Sequence, residues 1–149
     1  MGILGAIAYD PASAVSKATD TRIAMTAFDT TNLRLTFTAP ASGKVLVRIQ
    51  CAVHGATTSP SILLGVLDGS TVKGRIAPAG RIESPLATAF VLREVVFPVT
   101  GLTPAASYTW DAAYGVETEV ASTAVKYGGP NNTTANDAFG AIIFEIWGL

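Results

Sequence analysis

The chain has 149 residues, a formal net charge of −1, and only 14% charged residues against 49% apolar ones. This length suits one domain with a single core, and the abundance of apolar residues argues against an intrinsically disordered chain. No run of 18 or more apolar residues and no cluster of Lys or Arg occurs, so we expect neither a membrane partner nor a nucleic-acid partner. So low a charge in a small protein predicts that part of its surface is buried against copies of itself.

The first 32 residues differ from the rest of the chain. Small, polar and apolar residues follow one another there without a sustained period, so the sequence predicts an N-terminal arm over 1–32 and a β-sandwich domain over 33–149. Since the arm has too few apolar residues for its own core, we expect Ile3, Leu4 and Ile7 to dock on a partner. Its start lacks the positive charge of a secretory signal, which predicts synthesis and folding in a cytoplasm.

Alternation of apolar and polar residues predicts β-strands from residue 33 onward. Leu33, Leu35 and Phe37 alternate with Arg and Thr residues, which is the period of a half-buried strand. Pro and Gly within 40–43 supply a turn, and the same alternation then runs over 45–53. We expect these two runs to be neighbouring antiparallel strands joined by a short loop.

The later apolar runs are separated by Gly, Pro, Asn and Asp, which are the residues of turns. Asp68-Gly69 lies between two runs and is typical of a β-hairpin, whereas Pro98 indicates an edge strand or a strand end. About eight strands without a long helix predict an antiparallel β-sandwich of jelly-roll type. The later runs cover residues 62–67, 71–76, 87–99, 107–116, 120–127 and 139–147.

The last run, 139–147, is apolar on both faces. A strand of this kind is either central in its fold or covered by a second subunit. We therefore expect Phe144, Ile146 and Trp147 near the interface of a homotrimer or another closed homo-oligomer. An unusually apolar monomer is the alternative interpretation of the same pattern.

Residue types that carry chemistry are scattered along the chain. Cys51 lies on an apolar strand face and is predicted to be a core residue, and His54 points to the opposite face, so no thiol–imidazole pair is expected. Glu117 and Glu119 share a strand face and could hold calcium with Asp111, although a solvated outer face explains them more simply. The sequence predicts no enzyme, no cofactor and no metal site.

Residues 101–108 resemble the turn-and-strand segment of fibronectin type III domains, with Tyr108 at the tyrosine-corner position. Residues 35–47 and the terminal run at 139–147 resemble small β modules on the virions of tailed bacteriophages, including C1q/TNF-like jelly rolls. This second resemblance implies a homotrimer in the virion that is made in the host cytoplasm and has the major capsid protein or another virion protein as its partner.

The same resemblance implies one of two functions. The first is a capsid decoration protein that binds the shell as an oligomer. The alternative is the receptor-binding head of a tail fibre or tail tip, which recognises carbohydrate on the host surface. For that alternative, exposed aromatic residues would contact sugar, although core packing is the simpler role for each of them. These residues are Tyr108, Trp110, Tyr114 and Tyr127.

Overall fold

The computed structural model of the chain describes residues 1–9, 15–18, 25–55, 61–75, 82–83, 91–116, 124–127 and 142–149. Within these ranges the chain forms two antiparallel β-sheets and no helix, which confirms the predicted all-β class. The parts of the predicted runs at 87–90, 120–123 and 139–141 lie outside the described residues. The strands are β1 (Gly2–Tyr9), β2 (Val15–Ala18), β3 (Thr26–Ala27), β4 (Arg34–Thr38), β5 (Val45–Gly55), β6 (Ser61–Asp68), β7 (Thr71–Arg75), β8 (Ile82–Glu83), β9 (Val91–Val99), β10 (Ser107–Val116), β11 (Ala124–Tyr127) and β12 (Ile142–Gly148).

Sheet A is built around β5. Along one side β5 pairs with β9, and along the other it pairs first with β12 and then, further along its length, with β11. Strand β1 extends the sheet beyond β12, and β2 extends it beyond β11. The described pairings place β9 at an edge, as Pro98 predicts. The main part of sheet A therefore has the order β1-β12-β5-β9.

Sheet B is built around β10 and β6, which pair from Asp111↔Leu67 to Val116↔Ile62. The other side of β10 pairs with β4 and, beyond it, with β3. The other side of β6 pairs with β7 and β8. The main part of sheet B therefore has the order β4-β10-β6-β7.

The hydrophobic core lies between the two sheets. Because successive side chains of a strand point to opposite faces, every second residue of the paired strands reaches this space. Full burial of one large apolar side chain stabilises a fold by about 1.5–3 kcal/mol, so these residues dominate the stability of the sandwich. The inward-facing core includes Leu35 and Phe37 of β4, Val45, Val47, Ile49 and Cys51 of β5, Ile62, Leu64 and Val66 of β6, Val95, Phe97 and Val99 of β9, Trp110, Ala112 and Tyr114 of β10, and Ile142, Phe144 and Ile146 of β12.

The segment predicted as an arm contributes strands to both sheets. Strand β1 pairs with β12 from Gly2↔Gly148 to Tyr9↔Ile142, with an irregularity between Ile3 and Gly5. No side chain of β1 is fully buried, although Leu4, Ile7 and Tyr9 pack against the core. This shallow burial explains why its sequence lacks a sustained apolar period. The domain boundary at residue 32 stays a prediction.

The predicted hairpin turn and the contact expected of a tyrosine corner are both present. Asp68 pairs with Thr71 across a hairpin in which Gly69 has φ 60°, the positive value that the first position of a tight hairpin turn favours. The backbone N–H of Thr103 donates to the Tyr108 hydroxyl at 2.9 Å, which is the contact of a tyrosine corner. The same hydrogen bond lowers the pKa of Tyr108 because it stabilises the phenolate.

Gly43 connects two loops at one end of the sandwich. Its backbone has φ 63°, its N–H donates to the Pro40 carbonyl, and its carbonyl accepts from the N–H of Leu102. A Cβ atom at this position would collide with the carbonyl oxygen of Leu102. Gly69 shares the positive φ but has no atom within 4 Å of such a Cβ.

We predict that Gly43→Ala destabilises the domain by about 2–4 kcal/mol, because backbone strain and a steric clash act together. Gly69→Ala is the matched control and should cost only about 1–2 kcal/mol, the strain alone. Urea denaturation followed by fluorescence measures both values. Equal losses for the two variants would show that the contact with Leu102 contributes nothing.

Candidate interface on the outer face of sheet A

The outer face of sheet A consists of the side chains that point away from the core. The strand pairing aligns these side chains in rows across four strands, where directly opposed Cβ atoms lie about 4.5–5.5 Å apart. Across β1, β12, β5 and β9, the rows are Ile3–Trp147–Leu46–Pro98, Ala6–Glu145–Arg48–Val96 and Ala8–Ile143–Gln50–Glu94, and Leu92 stands opposite Ala52 beyond them.

This face exposes large apolar side chains. Ile3 is 53% exposed, Leu92 52% and Val96 47%, and the row from Ile3 to Pro98 has no polar member. Single exposed apolar side chains are ordinary on a protein surface, but an apolar row that crosses four neighbouring strands is typical of an interaction surface.

The outer face of sheet B differs in character. At its exposed positions, β4 and β10 carry Thr36, Thr38, Ser107 and Thr109, and the hydroxyls of Thr36 and Thr109 lie 2.8 Å apart. The apolar residues of that face, among them Leu67, are buried in a small second cluster with Met25 and Ala113. Among the described residues, sheet B buries most of its outer apolar groups within the chain and exposes Val72, at 37%, whereas sheet A exposes Ile3, Leu92 and Val96 more fully.

Arg48 forms the polar centre of the outer face of sheet A. Its Nε and Nη2 donate to Glu94 Oε2 at 2.8 and 2.6 Å, and its Nη1 donates to Glu145 Oε2 at 3.1 Å. Nη2 also reaches Gln50 Oε1 at 3.3 Å, and Trp147 Nε1 donates to Glu145 Oε2 at 3.0 Å. The bonds to Glu94 and then Glu145 raise the pKa of Arg48. The charges at this centre are thus paired within the chain.

The residues predicted at an interface fall into three groups. Ile3 and Trp147 lie on the outer face of sheet A. Leu4 and Ile7 are partly buried and pack against the core. Phe144 and Ile146 are fully buried between the sheets, so their side chains are not available to a partner in the folded domain. On β12, an interface therefore involves the opposite face of the strand, which includes Trp147.

Sequence reasoning missed the contribution of β9. Leu92, Val96 and Pro98 share one face of that strand with Glu94, whereas Val95, Phe97 and Val99 face the core. Both sets of alternate residues along this strand are apolar. A count of apolar residues therefore does not tell which set faces the solvent. The alternation around Glu94 was the available signal, since a core position does not accept an unpaired carboxylate.

Other predicted site residues have structural roles. Asp111 is buried and both its carboxylate oxygens accept hydrogen bonds from Arg34, at 2.7 and 2.8 Å. Both oxygens of Asp111 thus bind Arg34, and its suggested calcium partners Glu117 and Glu119 lie outside the described residues. In the described part of the chain, no three His, Cys, Asp or Glu side chains cluster as metal ligands.

Three of the four aromatic residues considered for sugar binding have described side chains, and all three pack in or against the core. Trp110 and Tyr114 are buried, and Tyr108 packs against the core beside Phe37. The ring of Trp110 meets Phe37 edge-on at 4.8 Å between centroids. The side chain of Tyr127 lies outside the described residues. Core packing, the simpler of the two predicted roles, is confirmed for Trp110 and Tyr114.

The described residues also contain no helix that is long and apolar enough to cross a membrane. No protein-family model matches the sequence, and no curated protein matches it.

Cys51 is buried in the core, as its strand face predicts. Burial raises the pKa of its thiol from 9.0 to about 12, because the interior disfavours the thiolate. Its outer-face neighbours in β5 are Gln50 and Ala52, so the thiol faces away from the candidate interface.

We predict that iodoacetamide does not label Cys51 in the folded protein at pH 8 and labels it readily in urea. The free energy of unfolding should fall as the pH rises from about 9 towards 12, because the unfolded chain releases this proton first. Mass spectrometry measures the labelling, with Cys51→Ala as the blank. Rapid labelling of the folded protein would contradict the burial.

Proposed function

We propose that this chain is a structural protein, not an enzyme, that assembles with copies of itself through the outer face of sheet A. One observation carries the proposal: a four-strand sheet face exposes apolar side chains, and its described charged side chains are only Arg48 and the two carboxylates that bind it. Burial of the apolar side chains of such a face gains hydrophobic free energy.

The charge of this face supports a second copy as the occupant. Arg48 is the single cation among its described side chains, and both Glu94 and Glu145 bind it. A nucleic acid or a strongly charged protein would find little to bind, whereas a second copy presents another largely apolar face with few charged side chains. The 14% charged residues of the whole chain are in keeping with burial of surface between copies.

We propose a jelly-roll connectivity for the sandwich. The support is the order of the strands, with β1-β12-β5-β9 in one sheet and β4-β10-β6-β7 in the other. Between β4 and β6 the chain passes from sheet B to sheet A and back, and it changes sheet again at β9 and at β10. Repeated crossings between two antiparallel sheets are typical of the Greek keys of this architecture.

For the biological setting we propose the virion of a tailed bacteriophage, where the chain is a capsid decoration protein that binds the shell as a homotrimer. The support is the resemblance of residues 35–47 and 139–147 to small virion β modules, together with the open face of sheet A. The partner in the shell is then the major capsid protein or another virion protein.

A receptor-binding head is the alternative, and the position of the aromatic residues favours decoration over it. A sugar-binding head needs exposed aromatic rings, and Trp110 and Tyr114 are in the core. The number of copies per particle separates the two functions, since a decoration protein covers the shell and a head occurs only at the tips of tail fibres.

We predict that Val96→Glu weakens or abolishes self-association. Val96 is 47% exposed in the free chain, so the variant folds, but association would bury a new carboxylate beside Arg48, which already binds Glu94 and Glu145. Light scattering coupled to size-exclusion chromatography measures the mass. Thr38→Glu adds the same charge to an exposed position of sheet B and should leave the mass unchanged. A wild-type chain that stays monomeric at high micromolar concentration, or an unaffected Val96→Glu, refutes the proposal.

The N-terminal segment is the proposed attachment to the shell. We predict that a chain lacking residues 2–20 still folds, because β1 lies at the edge of sheet A and its side chains that pack against the core are only partly buried. The truncation also removes Ile3 from the self-association face, so we expect it to bind undecorated particles much more weakly than Val96→Glu, which keeps the segment. Co-sedimentation measures the binding, and urea denaturation checks the fold. Unchanged binding would show that the segment is not the attachment device, and an unfolded product would place it in the core of the domain.

A further inference from the structure

The polar centre of the outer face of sheet A carries an uneven charge. One guanidinium, that of Arg48, serves two carboxylates, those of Glu94 and Glu145. Each carboxylate uses a single oxygen, Oε2, in these contacts. The centre therefore has one negative charge more than it has positive charges.

On β1, β12, β5 and β9, no other described side chain of this face carries a charge that balances the surplus. The outward side chains of β1 are Ile3, Ala6 and Ala8, and β12 adds only Glu145. The described outward side chains of β5 add only Arg48, and those of β9 add only Glu94. The register pairs His54 of β5 with Lys126 of β11 further along the same face, two positions beyond Ala52. Arg93 is exposed, but it does not belong to this face: its neighbours Leu92 and Glu94 point outward, and successive residues of a strand point to opposite faces.

The surplus charge is inexpensive while the face is open to water. The side chain of Glu94 is 46% exposed and that of Arg48 30%, so solvent screens the centre. A second copy on the face would remove this water. An uncompensated carboxylate would then be buried next to apolar side chains such as Val96 and Ile143, which costs far more than the same charge in water.

We propose that the pair Glu94 and Glu145 makes self-association through this face acid-dependent, with one carboxylate of the pair taking up a proton when the face is covered. This inference rests on the proposed function, because it requires that a second copy is the occupant. With one carboxylate neutral, Arg48 balances the other, and a protonated carboxyl group can still accept from Arg48 through its carbonyl oxygen.

The direction of the effect follows from linkage. The associated state binds more protons than the free chains, so association tightens as the pH falls and weakens as the pH rises. Uptake of one proton changes the association constant by up to about tenfold per pH unit. We expect association at least about tenfold tighter at pH 5 than at pH 8.

General loss of solubility is a separate effect with a similar direction. The isoelectric point is near 5.7, so net repulsion between chains is smallest close to the acidic end of this range. The experiment therefore uses variants that change the net charge equally. Glu94→Gln and Glu145→Gln each balance the polar centre, and Asp68→Asn removes a carboxylate that pairs with Lys73 outside the face.

Sedimentation equilibrium of the full chain at pH 5, 6, 7 and 8 tests the proposal. We expect the wild type and Asp68→Asn to show the pH dependence, and both glutamine variants to associate tightly at pH 8 with less than about a twofold change down to pH 5. A pH-independent wild-type oligomer overturns the acid dependence and leaves the proposed assembly standing, as does a pH dependence that survives in both glutamine variants. A wild-type chain that is monomeric throughout overturns both proposals.

Discussion

The pairing of β5 with three other strands determines both faces of sheet A at once. Strand β5 aligns with β9, β12 and β11, and the register that buries Val47 and Ile49 leaves Arg48 on the opposite face. A shift of one residue would exchange the two faces, bury the guanidinium and expose the core. The hydrophobic core therefore sets the register, and the register places Glu94 and Glu145 on either side of Arg48.

Much of this organisation could be predicted from the sequence, because strands with one buried face have a clear period. The runs around Leu35 and Val47 and the Asp68-Gly69 hairpin are present where expected. The expectation that the first two runs pair as neighbours was wrong: β4 pairs with β10 in sheet B and β5 lies in sheet A, because the loop between them crosses from one sheet to the other. For β12 the strand was predicted but its orientation was not, since both parities are apolar. Phe144 and Ile146 face the core, and Trp147 faces outward. The choice between the parities depends on long-range pairing with β5, which no local pattern encodes.

The strand at residues 2–9 shows a different limit of sequence reasoning. An edge strand buries its side chains only in part, so selection for a strict apolar period is weak there. Gly5 approaches the Leu35 side chain of β4, and Leu4 approaches Gly148, so small residues allow β1 to lie close to both neighbours. Small residues in an irregular order are also typical of an extended arm. Composition alone does not distinguish an edge strand from an extended arm. The pairing of β1 with β12 shows that residues 2–9 form an edge strand.

A polar centre in an apolar sheet face restricts how that face is covered. A purely apolar face accepts many partners and many orientations, because the hydrophobic effect has no direction. Arg48, Glu94 and Glu145 change this, since a partner that displaces one of their hydrogen bonds leaves a charge buried without its counterion. Only orientations that keep these contacts intact retain the gain from burying Ile3, Leu92 and Val96. The polar centre thus costs affinity and contributes specificity, which suits an assembly of identical copies with one geometry.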